Sequence, residues 1–325
     1  MWHRWDPDHY LRLADVGYRS TGEDALFIVF FPLFPLLVAA VGVVARNLIV
    51  ASLVVTTVCS VGAGAILYRL ARLDVPEREA RASVVMLFAF PTAYALFAPY
   101  SEALFLLCVV GSMYAARTGR WWIAGLVGIA ATATRMVGLA LVPALLVEAF
   151  VSRRERPAGG WPRVLAAIAL VPLGFVSYLG LNVAVFGDAF HFLEVQDEHW
   201  FQHAVPPWVP VTDALDAIRG TELTVESFLV HPARLVAIAF ALILLALGWR
   251  ALRWADRTFA VATLAMVMSA SWLISLPRYL LGMYPLFLTM GRAGRSRVIL
   301  VCLALLGFSV QLFLFIRFSR GMWAF

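Results

Sequence analysis

The chain has 325 residues, of which 62% are hydrophobic and only 14% charged; its formal net charge is +6 and its mean hydropathy +0.84. That balance excludes an ordinary soluble domain and marks a polytopic membrane protein, with no nucleic acid expected among its partners. All 26 basic residues are arginine, a bias attributed to a GC-rich bacterial genome. Cys59, Cys108 and Cys302 lie inside apolar runs without paired spacing, so they read as packing residues rather than a redox or zinc motif.

The first segment, "MWHRWDPDHYLRLADVGYRS", is too polar to span a bilayer and lacks the apolar core of a cleavable signal. Asp6 before Pro7 reads as an N-cap with proline at the first helical position. Leu11, Ala14 and Tyr18 then share one face, Asp8, Arg12 and Asp15 another, and Gly17 ends the helix. The spacing predicts a short amphipathic helix on the membrane surface, with Trp2, Trp5 and Tyr10 as anchors at headgroup level.

From Ala25 to Ala45 the chain is apolar, but Pro32 and Pro35 in "FFPLFPLL" each remove a backbone donor and break a regular helix. We read this stretch as a juxtamembrane or re-entrant element that returns to its own side. Ten spans follow, near 47–69, 83–99, 101–117, 120–135, 136–152, 163–186, 233–253, 258–275, 278–292 and 297–316. Several fall short of the roughly 20 residues that a straight crossing needs, which suits tilted or broken helices around a polar cavity. The expected organisation is one all-α integral-membrane domain over 1–325. Within it, 1–46 is an extracytoplasmic juxtamembrane segment, 47–186 a first helical bundle, 187–232 an extracytoplasmic loop and 233–325 a set of C-terminal helices.

With that parity the arginines gather on one side, around Arg69–Arg81, Arg117–Arg120, Arg153–Arg163, Arg250–Arg257 and Arg292–Arg297, as the positive-inside rule requires. All six histidines and most carboxylates fall on the other face, in the N-terminal segment, the "APYSE" turn, the long loop and the "SLPRY" turn. Chemistry on that face has no nucleotide substrates and must draw on something delivered through the membrane, such as a lipid-linked donor.

Three charges sit at bilayer depth or its boundary: Glu102, Arg135 and Arg278. Ionisable groups there are expensive and point to function, although a snorkelling helix end or a buried Arg–Glu pair reads equally well locally. Two arginines on an acid-rich face suit a bound phosphate, which a guanidinium fork grips with two hydrogen bonds. His9, Tyr10, Tyr100, Trp200 and Tyr279 complete the candidate substrate-binding set. In the loop, His199 and His203 are spaced for one helical face, yet no metal-ligand motif is present, and we expect neither a metal nor a cofactor.

Taken in order, "RWDPDHYLRLADVGY", "FFPLFPLL", "FPTAYALFAPYSEALFLL", "RWWIAGLVGIAATATRMVGLALVPALLVE", "FGDAFHFLEVQDEHW" and "LPRYLLGMYPLFL" resemble the PIG-V type of glycosyltransferase, GPI mannosyltransferase 2 and its bacterial relatives. The resemblance implies a GT-C fold and a multi-pass protein of the bacterial plasma membrane. It implies transfer of a sugar, usually mannose, from a polyprenyl-phosphate donor to a lipid or cell-envelope glycan acceptor on the extracytoplasmic side. The family's catalytic acid falls on Asp6, with Asp8 beside it, and its arginines on Arg135 and Arg278. Members of this fold carry a transmembrane helix before the acidic loop, so an apolar stretch encoded upstream of Met1 is expected, or else a shortened form. The rival readings are a headgroup transporter or flippase, and an inactive scaffold lacking the first helix.

Overall fold

The computed structural model describes residues 5–155, 160–220, 222, 224–271 and 273–325. Among them the only β pairing is an isolated bridge between Ala204 and Ala270; the rest is helix and connection. The first helices are α1 (Asp6–Val16), α2 (Leu33–Ala45), α3 (Leu48–Arg72), α4 (Glu77–Phe88), α5 (Glu102–Arg117) and α6 (Trp121–Thr134). Then come α7 (Leu141–Val151), α8 (Trp161–Leu170), α9 (Leu173–Phe186), α10 (His191–Trp200), α11 (Val209–Gly220) and α12 (Val225–Val230). The chain ends with α13 (Pro232–Gly248), α14 (Trp254–Met268), α15 (Leu276–Tyr279), α16 (Tyr284–Met290) and α17 (Arg297–Ser319).

Four helical stretches among the described residues are long and apolar enough to cross a membrane: Leu48–Arg72, Trp161–Phe186, Val225–Gly248 and Arg297–Ser319. They coincide with four of the ten expected spans, while Trp121–Thr134 and Met136–Val151 are shorter apolar helices. Of the other expected spans, 101–117 is one undivided helix, α5, and 258–275 is α14, which stops at Met268; the remaining two are divided at prolines. The segment expected at 83–99 stops at Phe88, and after Pro91 it resumes only as a 3-10 turn over Ala93–Leu96. That expected at 278–292 is split into short pieces around Pro277 and Pro285. In the segment from Ala25 to Ala45, a 3-10 turn over Glu23–Val29 meets α2 at an angle of 117°, with the break at Pro32, while Pro35 is accommodated in the first turn of α2. The chain is therefore interrupted where "FFPLFPLL" predicts it.

The fold divides into two compact units. One runs up to Ile66 and resumes over Ala95–Trp200; the other comprises Leu67–Tyr94 and Phe201–Phe325. In the first unit α6 is the hub, packed against α5, α8 and α9. Small residues allow that approach: a Cβ on Gly174 would lie 2.0 Å from the Ile129 carbonyl, so only glycine lets α9 meet α6 this closely. Beside this bundle, Tyr178 donates to the Ile28 carbonyl at 2.7 Å, pinning the turn before α2 onto α9. The loop expected over 187–232 is not irregular, since it folds into α10, α11 and α12.

In the second unit α16 packs against α4, α13 and α14. A Cβ on Gly248 would lie 2.1 Å from Thr289 Oγ1, which sets the approach of α13 to α16. Arg295 pairs with Glu79 at 2.9 Å, and Thr92 donates to the Pro277 carbonyl at 3.0 Å. Most of α17 presents an apolar surface outward, with only 6% of its most apolar window buried, the profile of a lipid-facing span.

Candidate active site

The site is built on α1. Its start differs from the sequence expectation: the N-cap is Trp5, in a left-handed conformation at φ 57°, and Asp6 is the first helical residue, with no side-chain cap. A residue before proline is pushed away from helical geometry. Here Trp5 absorbs the sharp turn and Asp6 enters the helix with Pro7 in the first turn, where a missing N–H costs nothing. Asp6 thus stands at the first helical position rather than at the cap. Gly17, at φ 71°, closes the helix as expected. Trp2 lies outside the described residues.

Amphipathicity places the side chains. Leu11 and Leu13 are buried, while Asp8, Arg12 and Asp15 face outward. Tyr10, expected as a headgroup anchor, is instead buried: its ring packs against Phe30 and Phe34, each 5.0 Å away, and its hydroxyl meets Ser101 Oγ at 3.0 Å. A phenol can enter an apolar core only when its hydroxyl finds a partner, and Ser101 supplies one. Trp5 remains exposed.

Ser101 begins a polar chain that continues inward. Arg135 lies between α6 and a 3-10 turn, its backbone extended at φ −157° and ψ 141°. Its NH1 donates to Glu102 Oε1 at 2.7 Å and reaches Ser101 Oγ at 3.4 Å. Glu102, at the first position of α5, is only 2% exposed, whereas the Arg135 side chain keeps 21% of its surface. A carboxylate this deeply buried holds the guanidinium in one orientation and offsets its charge. Tyr100, beside Ser101, is completely buried.

The charge of Asp6 acts only weakly at Tyr10, behind those of Arg135 and Glu102. The Tyr10 hydroxyl is pushed well above the usual phenol range, by burial first of all, so it stays a neutral hydrogen-bonding bridge. His9 lies half-buried among rings, 4.7 Å from Phe27, 5.3 Å from Phe30 and 6.5 Å edge-on from Trp200. Burial lowers its basicity against the opposing pull of Asp6 and Asp8, which favours a neutral imidazole. Asp8 and Arg12 line an open polar cleft of about 920 Å³ with Arg19 and Asn47. There a two-pronged pair from Arg12 to Asp24, both contacts at 3.0 Å, ties α1 to the following turn. The Arg12 guanidinium holds Asp24 below the usual carboxylate range.

Asp6, Asp8, His9, Tyr10, Tyr100, Glu102, Arg135 and Trp200 all lie in the first unit, where contacts link Tyr10 to Arg135 and Glu102 through Ser101, and His9 to Trp200. Arg278 and Tyr279 belong to the second unit, on α15, where Arg278 is buried with its guanidinium 5.8 Å from the Tyr279 ring centre. His199 and His203 do not share a helical face. The helix ends at Trp200, Phe201 turns at φ 52°, and the His203 backbone N–H bonds Ser271 Oγ at 3.0 Å. Among the described residues no three of histidine, cysteine, aspartate and glutamate gather as metal ligands. Sequence reasoning missed Ser101, Phe27 and Phe30. The signal for Ser101 was present, since a small hydroxyl directly before a bilayer-depth carboxylate is a ready partner for its counter-ion.

Residues 2–152, a little under half of the chain, match the family model of mannosyltransferases of the PIG-V type. Over that stretch the match bears out the resemblance read from the sequence, and it supports glycosyltransferase activity. It takes in Asp6 to Tyr10, Tyr100, Glu102 and Arg135; Trp200, Arg278 and Tyr279 lie beyond it. No curated protein and no solved structure matches the chain.

Proposed function

We propose, with the likeness to PIG-V-type mannosyltransferases as premise, that this protein is an inverting glycosyltransferase. It moves mannose from a polyprenyl-phosphate donor to a hydroxyl of a lipid or cell-envelope glycan on the extracytoplasmic face of a bacterial membrane. Asp6 is the general base. It takes the proton from the acceptor hydroxyl as that oxygen attacks the anomeric carbon, and the bond from that carbon to the phosphate oxygen breaks with its electron pair leaving on the phosphate. A phosphate leaves without being protonated, so one carboxylate suffices, in contrast to the pair used in glycoside hydrolysis.

Arg135 meets the charge that develops on the departing phosphate, a role in which an oriented cation gains most from being fixed in advance. The observation that carries this reading is the chain Tyr10–Ser101–Arg135–Glu102, which joins the helix of the proposed base to the proposed phosphate cation. His9 and Trp200, with the phenylalanine rings around them, offer an apolar wall against which a sugar ring stacks. Arg278 carries a phosphate-binding expectation from the resemblance.

The test uses purified full-length chain, a membrane-lipid extract as acceptor, and two donors, polyprenyl-phosphate-mannose and a nucleotide-linked mannose. Transfer from the lipid-linked donor alone is expected, falling by about 10²-fold or more in Arg135→Gln. Transfer from the nucleotide-linked donor overturns the donor assignment. Movement of lipid headgroups across vesicles without any sugar transfer overturns the enzyme reading in favour of a transporter.

A further inference from the structure

The second unit contains a groove that the transfer reaction does not use. Helices α13 and α14 both lean on α16, and between them runs an open groove of about 990 Å³. Its walls are aliphatic, with Leu242 and Ala246 on α13 facing Val261 and Ala265 on α14. Ala246 and Ala265, both exposed, keep the groove wide. At the end where α13 finishes and α14 begins, the lining changes character to Trp249, Arg250 and Arg292.

The arginines at this end fall into two kinds. Arg295 is paired with Glu79, and Arg253 lies 3.8 Å from Asp74. Among the described residues Arg250 and Arg292 have no carboxylate partner, and Arg292 spends NH1 on the Leu247 carbonyl at 3.3 Å. Two guanidiniums without a counter-charge, at the mouth of an apolar groove and beside a tryptophan, match a phosphate headgroup with its hydrocarbon tails. α13 forms part of Val225–Gly248, which is long and apolar enough to cross a membrane. The arginine parity expected from the sequence assigns this end to the cytoplasmic leaflet, where anionic phospholipids are found.

We propose that this groove is a binding site for one anionic glycerophospholipid, its phosphate held by Arg250 and Arg292 and its acyl chains lying between α13 and α14. Cations near a bilayer surface contribute enough each that two of them give a preference of roughly tenfold or more for an anionic over a zwitterionic lipid. The site is independent of the sugar-transfer reading, because none of its residues belongs to that machinery.

Native mass spectrometry of the full-length protein in neutral detergent tests it, with phosphatidylglycerol, phosphatidylcholine and a polyprenyl phosphate as probes. Wild type should retain phosphatidylglycerol roughly tenfold better than phosphatidylcholine. The double variant R250Q/R292Q should lose that preference, and Ala246→Trp, which fills the groove but keeps both cations, should retain neither phospholipid. The proposal is overturned by equal retention of the two phospholipids in wild type, by a preference that persists in the double variant, or by retention of phosphatidylglycerol in Ala246→Trp. Stronger retention of polyprenyl phosphate than phosphatidylglycerol, abolished by Ala246→Trp, overturns it in favour of a polyprenyl carrier.

Discussion

Arginine is put to two different uses in the two units. In the first, Arg135 is held by a carboxylate that is itself buried, and a serine ties the pair to a tyrosine on the surface helix. In the second, Arg250 and Arg292 end an apolar groove with no carboxylate partner among the described residues. A cation clamped by a buried counter-ion is oriented at the expense of charge; a cation left without one keeps its charge for a ligand. The first arrangement suits a transient charge that appears during a reaction, the second a permanent charge that arrives with a bound molecule.

Substitution separates the two uses by stability. Glu102→Gln leaves the Arg135 cation without its buried counter-ion and should lower unfolding free energy by about 2–3 kcal/mol, at the lower end for a broken buried pair because Arg135 keeps some contact with solvent. Arg250→Gln removes an exposed charge and should change stability by less than about 0.5 kcal/mol. Thermal melting of both variants in one detergent makes the comparison, and equal shifts would erase the distinction. A smaller effect is expected at the link to α1. Tyr10→Phe removes only the bond to Ser101 and should cost about 1 kcal/mol by the same measurement. A melting curve that matches wild type would mean that the surface helix is not coupled to Arg135 through this bond.

Much of this organisation was legible in the sequence because it depends on local chemistry. Period and composition located the four long apolar helices, Pro32 marked a sharp bend, and Gly17 marked the end of α1. What stayed hidden depends on residues far apart in the chain. Tyr10 reads as an interfacial anchor until Ser101, 91 positions away, supplies a partner for its hydroxyl inside the core. Likewise, whether Glu102 binds substrate or orients Arg135 depends on a helix packing that periodicity does not encode. The cap of α1 shifted by one residue because Trp5 takes a left-handed turn, a cost that no sequence pattern announces. Helix lengths were overestimated where prolines divide apolar runs, since hydropathy registers apolar content and is blind to a missing backbone donor.

In the proposed transfer reaction α1 carries the base, and that base is Asp6 rather than Asp8. Asp6 is half-buried and acts on Tyr10, whereas Asp8 is exposed and lines the polar cleft. The decisive measurement is the single-turnover rate of mannose transfer by Asp6→Asn and Asp8→Asn, side by side with wild type and at equal thermal stability. The account predicts a loss of about 10²–10⁴-fold for Asp6→Asn and less than about tenfold for Asp8→Asn. Wild-type transfer by Asp6→Asn, or the larger loss in Asp8→Asn, would contradict it.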